Sequence, residues 1–308
     1  MHPNCLCYAQ ESDDGAPSTN FDARYLADSS PSDTVDQQDR DVPMLESLHL
    51  KNVGPAPEMC LKFGPRINII TGDNGLGKSF LLDVAWWALT RKWPRDLNSN
   101  LTSGYPAKPI NVEEKATIDF GILGMSGHVT YQSTYTPSDQ GWIGRAGRPW
   151  NPGLVVYALA DGGFAVWDPA RNYWKKKGNC DVYDNQPAYV FNAREVWEGR
   201  SVIVGGELVS ICSGLITDWA FWIAQGKETA KVLSRLLWTL TNTGSDDGVA
   251  LGETFANISI DDLRDIPTIH TSYNHEVPIV HASMGVKRVA ALAYMLLWAW
   301  LNNQRAAK

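Results

Sequence analysis

Lys78 and Ser79 close a glycine-rich stretch, Gly72-Asp73-Asn74-Gly75-Leu76-Gly77-Lys78-Ser79, that satisfies G-x-x-x-x-G-K-[ST] at every required position. Each residue type has a task. Gly72, Gly75 and Gly77 allow tight turns with positive φ. The backbone N–H groups can then converge into a nest for an anion. A helix beginning near Lys78 adds the positive end of its dipole. Lys78 would reach the β- and γ-phosphates of a nucleotide. The Ser79 hydroxyl is the candidate metal ligand, because Mg²⁺ takes hard oxygens. The candidate nucleotide-binding set is Gly72, Asp73, Asn74, Gly75, Leu76, Gly77, Lys78, Ser79 and Phe80. The bland alternative, a glycine turn between strand and helix, does not account for the closing Lys-Ser pair.

The flanks supply the elements that must hold this loop. Ile67-Asn-Ile-Ile-Thr71 is a short apolar run that reads as a buried strand, and Gly77 to Lys92 reads as a helix stopping before Pro94. Upstream, 45–52 and 58–63 read as antiparallel strands joined by a turn at Gly54-Pro55-Ala56-Pro57. Downstream, 116–120 and 128–135 carry strand signals, and 154–159 and 164–167 read as a hairpin closed at Asp161-Gly162-Gly163. A short strand is expected at 189–191 and helices at 207–225 and 228–240. A hairpin is expected over 267–280, closed at Asn274-His275, and a final helix over 285–303. The apolar run Ala290 to Leu301 is too short to span a bilayer and reads as a core helix.

Composition narrows the class. The 308 residues are 44% hydrophobic and 20% charged, so a large core is available. Thirteen tryptophans should be mostly core or interface anchors, and the net charge of −7 argues against a broadly basic nucleic-acid surface. The cysteines at 5, 7, 60, 180 and 212 are odd in number and form no C-x-x-C pair. That reads as a reducing compartment, with no disulfide framework and no structural zinc. Residues 1–43 are rich in Ser, Asp, Pro and Asn without apolar periodicity, and read as a disordered acidic leader. Met44 is a candidate functional start. Lys175-Lys176-Lys177, beside Tyr173 and Trp174, reads as a solvated face, with a nucleic-acid contact as the alternative.

Hydrolysis needs an acidic metal ligand and a residue that positions water. No N-K-x-D guanine reader follows the loop. Asp161 ends an apolar run but reads as a hairpin turn, and Asp261 or Asp262 reads as a helix cap before Leu263. Ser283-Met284-Gly285 stands before the long apolar helix, where Ser283 reads first as a helix N-cap.

Taken with the loop, the Ser283/Gly285 pair resembles the L-S-G-G-Q signature of ABC-type ATPases, although Met284 and Val286 depart from it. From Met44 onward the chain resembles the ATPase heads of the SMC-like and RecF-like branch. It also looks similar to bacterial AAA-type ATP-binding proteins, some of them in phage-defence systems. The resemblance implies an α/β fold: a P-loop NTPase core with a mixed β-sheet, an antiparallel β subdomain and a helical insert. It places a β-rich insert at about 112–192 and the helical insert at about 205–241, within a domain of 44–308. It implies ATP and Mg²⁺ as ligands. ATP would be sandwiched in a homodimer between Lys78/Ser79 of one copy and Ser283/Gly285 of another. It further implies a DNA or effector-protein partner, while the cysteine usage and the lack of a long uncharged apolar run read as a cytoplasmic location and no membrane. In that family the Walker B strand follows the signature helix, so the chain reads as the N-terminal part of a head that lacks its metal-ligand Asp and catalytic Glu. Gln132 and Gln186 are both options for the Q-loop glutamine. Two alternatives stand beside this: an ATP-binding scaffold without turnover, and a P-loop phosphotransferase.

Overall fold

The computed structural model describes residues 6–7, 44–124, 127–144, 151–172, 188–204, 206–242, 248–270 and 275–307. The leader apart from 6–7, the Lys175–Lys177 run, Gln186 and the Asn274 turn lie outside these residues. The chain divides into two compact units, one of 1–93 with 105–153 and one of 94–104 with 154–308.

The first unit is built on a six-stranded sheet in the order β1-β3-β2-β4-β5-β6. Its strands are β1 (Leu6–Cys7), β2 (Met44–Lys51), β3 (Glu58–Lys62), β4 (Thr117–Gly124), β5 (Gly127–Thr136) and β6 (Gly141–Gly144). β1 pairs with β3 in parallel and every other pair is antiparallel, which makes the sheet mixed. Period-two alternation explains one covered face. Leu48, Leu50, Met59, Leu61, Ile118, Phe120 and Ile122 are buried. Helix α1 (Lys78–Thr90) contributes Leu81, Val84, Trp87 and Ala88 to the same cluster. Trp87 stacks on Trp93 at 5.3 Å and meets Phe120 edge-on at 6.3 Å. Such aromatic pairs add about 0.5–1.5 kcal/mol each beyond area burial. Arg91 ends the helix with φ 59°, lies 3.9 Å over the Trp87 ring and donates from Nη2 to Ser133 Oγ at 3.0 Å. Burial lowers its guanidinium to about 10.

The expected strand at 67–71 does not form. Ile67 and Ile69 are 83% and 79% exposed, and no strand among the described residues pairs with the segment. A β-strand exists only through its neighbours' hydrogen bonds. Here Asn68 instead bonds the Gly64 backbone through both side-chain atoms, at 2.6 and 3.1 Å.

The second unit carries α2 (Pro94–Leu97), β7 (Val155–Ala158), β8 (Phe164–Trp167), α3 (Pro169–Asn172), β9 (Tyr189–Phe191), α4 (Ala193–Glu198), β10 (Arg200–Val204), β11 (Glu207–Cys212), α5 (Leu215–Ala224), α6 (Glu228–Thr241), β12 (Ala250–Ala256), β13 (Ile266–His270), β14 (Glu276–Pro278) and α7 (Met284–Ala307). The predicted β7–β8 hairpin forms, and β9 joins it as a third strand. The predicted helix over 207–225 begins only at Leu215. Residues 207–212 form β11 against β10, and Gly214 at φ 90° breaks the run. Ile258 to Leu263 is a turn with an isolated bridge, so Asp261 and Asp262 cap no helix. β12 pairs with β13.

α7 is longer than expected. At 24 residues it is long and apolar enough to cross a membrane by length and composition. One side of it, including Ala290, Tyr294, Leu297 and Trp298, is buried in the core of the unit with Leu215, Trp219 and Leu233. Inside that core the Tyr294 hydroxyl donates to Asp218 Oδ2 at 2.7 Å and lies 3.1 Å from Cys212 Sγ. Burial raises the pKa of all three groups.

Candidate functional site

Residues 72–80 adopt the conformation that the motif demands. Gly72, Gly75 and Gly77 have φ of 141°, 89° and 85°. Gly77 is the N-cap of α1 in the left-handed region, without a side-chain cap and without an acid in the first turn. The helix therefore presents uncapped N–H groups and an unopposed dipole to whatever anion the loop receives. Lys78 Nζ folds back across the loop and donates to Gly72 O at 2.6 Å and Asp73 O at 2.7 Å. Its ammonium thus sits over the backbone ring where a phosphate would be held.

The loop is braced on one side and open on the other. A Cβ on Gly77 would fall 2.5 Å from Pro55 Cγ, and one on Gly54 would fall 2.5 Å from Phe80 Cε1. The β2–β3 turn is thus packed against the loop at both glycines. A Cβ on Gly75 would meet nothing within 4 Å, and Asp73, Asn74, Leu76 and Ser79 are exposed. These residues carry chemistry that suits a nucleotide phosphate chain: an uncapped helix start, a lysine beside it and an exposed hydroxyl on the first helical turn for Mg²⁺.

Ser283 and Gly285 belong to the second unit. Ser283 is exposed and its Oγ accepts from Val286 N at 3.3 Å, as a helix N-cap should. Gly285 is exposed, with only Ser283 Oγ near its notional Cβ.

Of the three acidic candidates, Asp161 and Asp262 are committed elsewhere, while Asp261 is exposed beside Asp262. Asp161 accepts hydrogen bonds from Thr102 N, Ser103 N and Gly163 N, at 2.8, 3.1 and 2.9 Å. Partial burial pushes its carboxyl up, but the bonds from Gly163, Thr102 and Ser103 outweigh that and hold it below the usual range. Asp262 forms a forked pair with Arg264, at 2.8 and 2.7 Å, and the Arg264 hydrogen bonds hold it at about 2. The Asp161 and Asp262 carboxylates thus have structural partners that account for them. Gln132 stands on β5, exposed, opposite Asp119.

Residues 67–299 match the family model described as "AAA domain, putative AbiEii toxin, Type IV TA system". The chain belongs to this AAA family. No curated protein matches it. AAA membership and the loop geometry agree, since the match begins at the segment that leads into Gly72. The AAA domain is thus a P-loop ATP-binding domain, and its matched span includes the Gly72–Phe80 loop.

Proposed function

We propose that this AAA protein binds Mg-ATP at Gly72–Phe80 and uses the nucleotide to hold two copies together. The observation that carries the reading is the preformed cradle: three glycines at positive φ around the Lys78 ammonium, with an uncapped helix N-terminus behind them. Lys78 would neutralise the β- and γ-phosphates, and Ser79 would give Mg²⁺ one oxygen. Backbone N–H groups of the loop would orient the phosphate chain. Mg²⁺ would supply charge neutralisation there. Ser283 and Gly285 of the second copy would offer the exposed start of α7 to the γ-phosphate, which suits an anion for the same reason as the loop. The resemblance to SMC-like and RecF-like heads supports this composite site, a cytoplasmic setting, and work on DNA or an effector protein in DNA maintenance or phage defence.

A second reading is binding without turnover. It is favoured by the structural commitment of Asp161 and Asp262. Sedimentation with and without Mg-ATP, alongside phosphate release, separates the two. ATP-dependent dimers that Ser283→Ala abolishes support the composite site. ATP binding by a species that stays monomeric at all concentrations sinks it. Steady phosphate release that Lys78→Ala stops refutes the second reading.

A further inference from the structure

Across the first unit's sheet, the face opposite the Leu48/Leu50 core bears a row of different chemistry. His49 on β2 stands opposite Cys60 on β3 and opposite Asp119 on β4, and Glu58 lies two residues before Cys60. We propose that His49, Glu58 and Cys60 bind a zinc-class divalent cation, with Asp119 as the residue that positions His49. The three residues each bring one ligand atom, and these atoms lie within 4.8 Å of one another. They form a nitrogen, sulfur and oxygen set, which selects zinc, cobalt or a similar borderline metal over Mg²⁺ or Ca²⁺.

The spacing is right for a shared ion. Bonds of about 2.0–2.3 Å at tetrahedral angles put ligand atoms roughly 3.3–3.7 Å apart. His49 Nε2 and Glu58 Oε1 are 2.6 Å apart, so that pair must open by about 1 Å, and no pair, being within 4.8 Å, must close by more than about 1 Å. Half-exposed side chains rotate that far without moving the strands. Partial exposure also leaves a side for water as the fourth ligand, as in sites with three protein ligands.

The second nitrogen of His49 supplies an independent observation. His49 Nδ1 is 3.9 Å from Asp119 Oδ2, which also accepts from Thr117 Oγ1 at 3.3 Å. A metal on Nε2 fixes the proton on Nδ1, whose N–H can then donate to this carboxylate. Such outer carboxylates orient ligating histidines. Sequence spacing hides the set, since 49, 58, 60 and 119 meet only through strand register. The site is separate from the nucleotide reading.

The test is a cobalt(II) titration of the full chain after chelator treatment, without nucleotide. The expected result is one equivalent of Co²⁺ with a thiolate-to-cobalt charge-transfer band and intense four-coordinate visible bands, bleached by Zn²⁺. Cys60→Ser should remove the charge-transfer band, and His49→Ala should weaken binding tenfold or more. Asp119→Asn should keep both sets of bands while weakening affinity by about 10-fold. Lys78→Ala should leave the titration unchanged, so failure of the nucleotide site cannot imitate failure here. Circular dichroism checks that each variant is folded. No charge-transfer band in the parent chain, or a band that survives Cys60→Ser, overturns the proposal.

Discussion

Replacing Gly77 by alanine tests how the phosphate loop is held, and Gly75→Ala is its internal control. Both glycines sit in the left-handed region, at φ 85° and 89°. An alanine there costs about 1–2 kcal/mol from contact between its Cβ and the backbone. The surroundings differ. The new methyl at 75 meets nothing within 4 Å, whereas at 77 it falls 2.5 Å from Pro55 Cγ and 3.7 Å from Met59 Cε. Proline is a rigid ring in a tight turn and cannot swing aside. Overpacking of this kind adds about 1–3 kcal/mol. Gly75→Ala should therefore cost about 1–2 kcal/mol and Gly77→Ala about 2–5 kcal/mol, the excess being the Pro55 contact. Urea denaturation of the two variants beside the parent measures the difference. Equal losses would refute the claim that the β2–β3 turn braces the loop. ATP affinity gives a second reading. Gly77→Ala should weaken it more strongly, because the loop must lift off Pro55 to accept the methyl.

Further consequences follow from the buried and turn-forming acids. Tyr294→Phe deletes the hydroxyl shared by Asp218 and Cys212, and should cost about 1–3 kcal/mol in urea denaturation, since a buried acceptor loses its donor. Asp218→Asn should stabilise the chain at neutral pH. Burial raises the folded carboxyl pKa above the unfolded value of about 3.9, so ionisation at neutral pH weighs against the folded state. The gain should shrink as pH falls through the raised folded pKa and vanish below about 3.9, and melts across that range check it. Asp161→Asn should cost about 1–2 kcal/mol by weakening the bonds to Thr102, Ser103 and Gly163, while leaving ATP affinity unchanged. A large loss of Mg-dependent binding in that variant would restore Asp161 as a metal ligand.

Sequence legibility followed how local each feature is. The loop glycines, Lys78 and helix α1 could be read because spacing along one segment dictates them. The β7–β8 hairpin and helices α6 and α7 were legible for the same reason. Ile67 to Thr71 misled because its apolar run has strand composition, but strand formation depends on a neighbour that the described residues do not provide. Residues 207–212 misled because Leu208, Ile211 and Cys212 fit a helical repeat as well as a strand. Gly214 marks where the helix could first begin. Trp86, Trp87, Trp93, Trp167, Trp219, Trp222 and Trp298 are buried as their size predicts, while Trp300 is 55% exposed. The His49, Glu58, Cys60 and Asp119 row was illegible, since cross-strand register is set by pairing between segments up to seventy positions apart.

The most direct test of the central claim is equilibrium binding of Mg-ATP to the intact chain and to Lys78→Ala. Among the described residues Lys78 bonds only to the loop carbonyls Gly72 O and Asp73 O. Its removal should leave the fold intact by circular dichroism while weakening ATP binding about 100-fold, the loss of a charge-assisted contact of about 3 kcal/mol. Unchanged ATP affinity in a folded Lys78→Ala chain would contradict the assignment of Gly72–Phe80 as the nucleotide site.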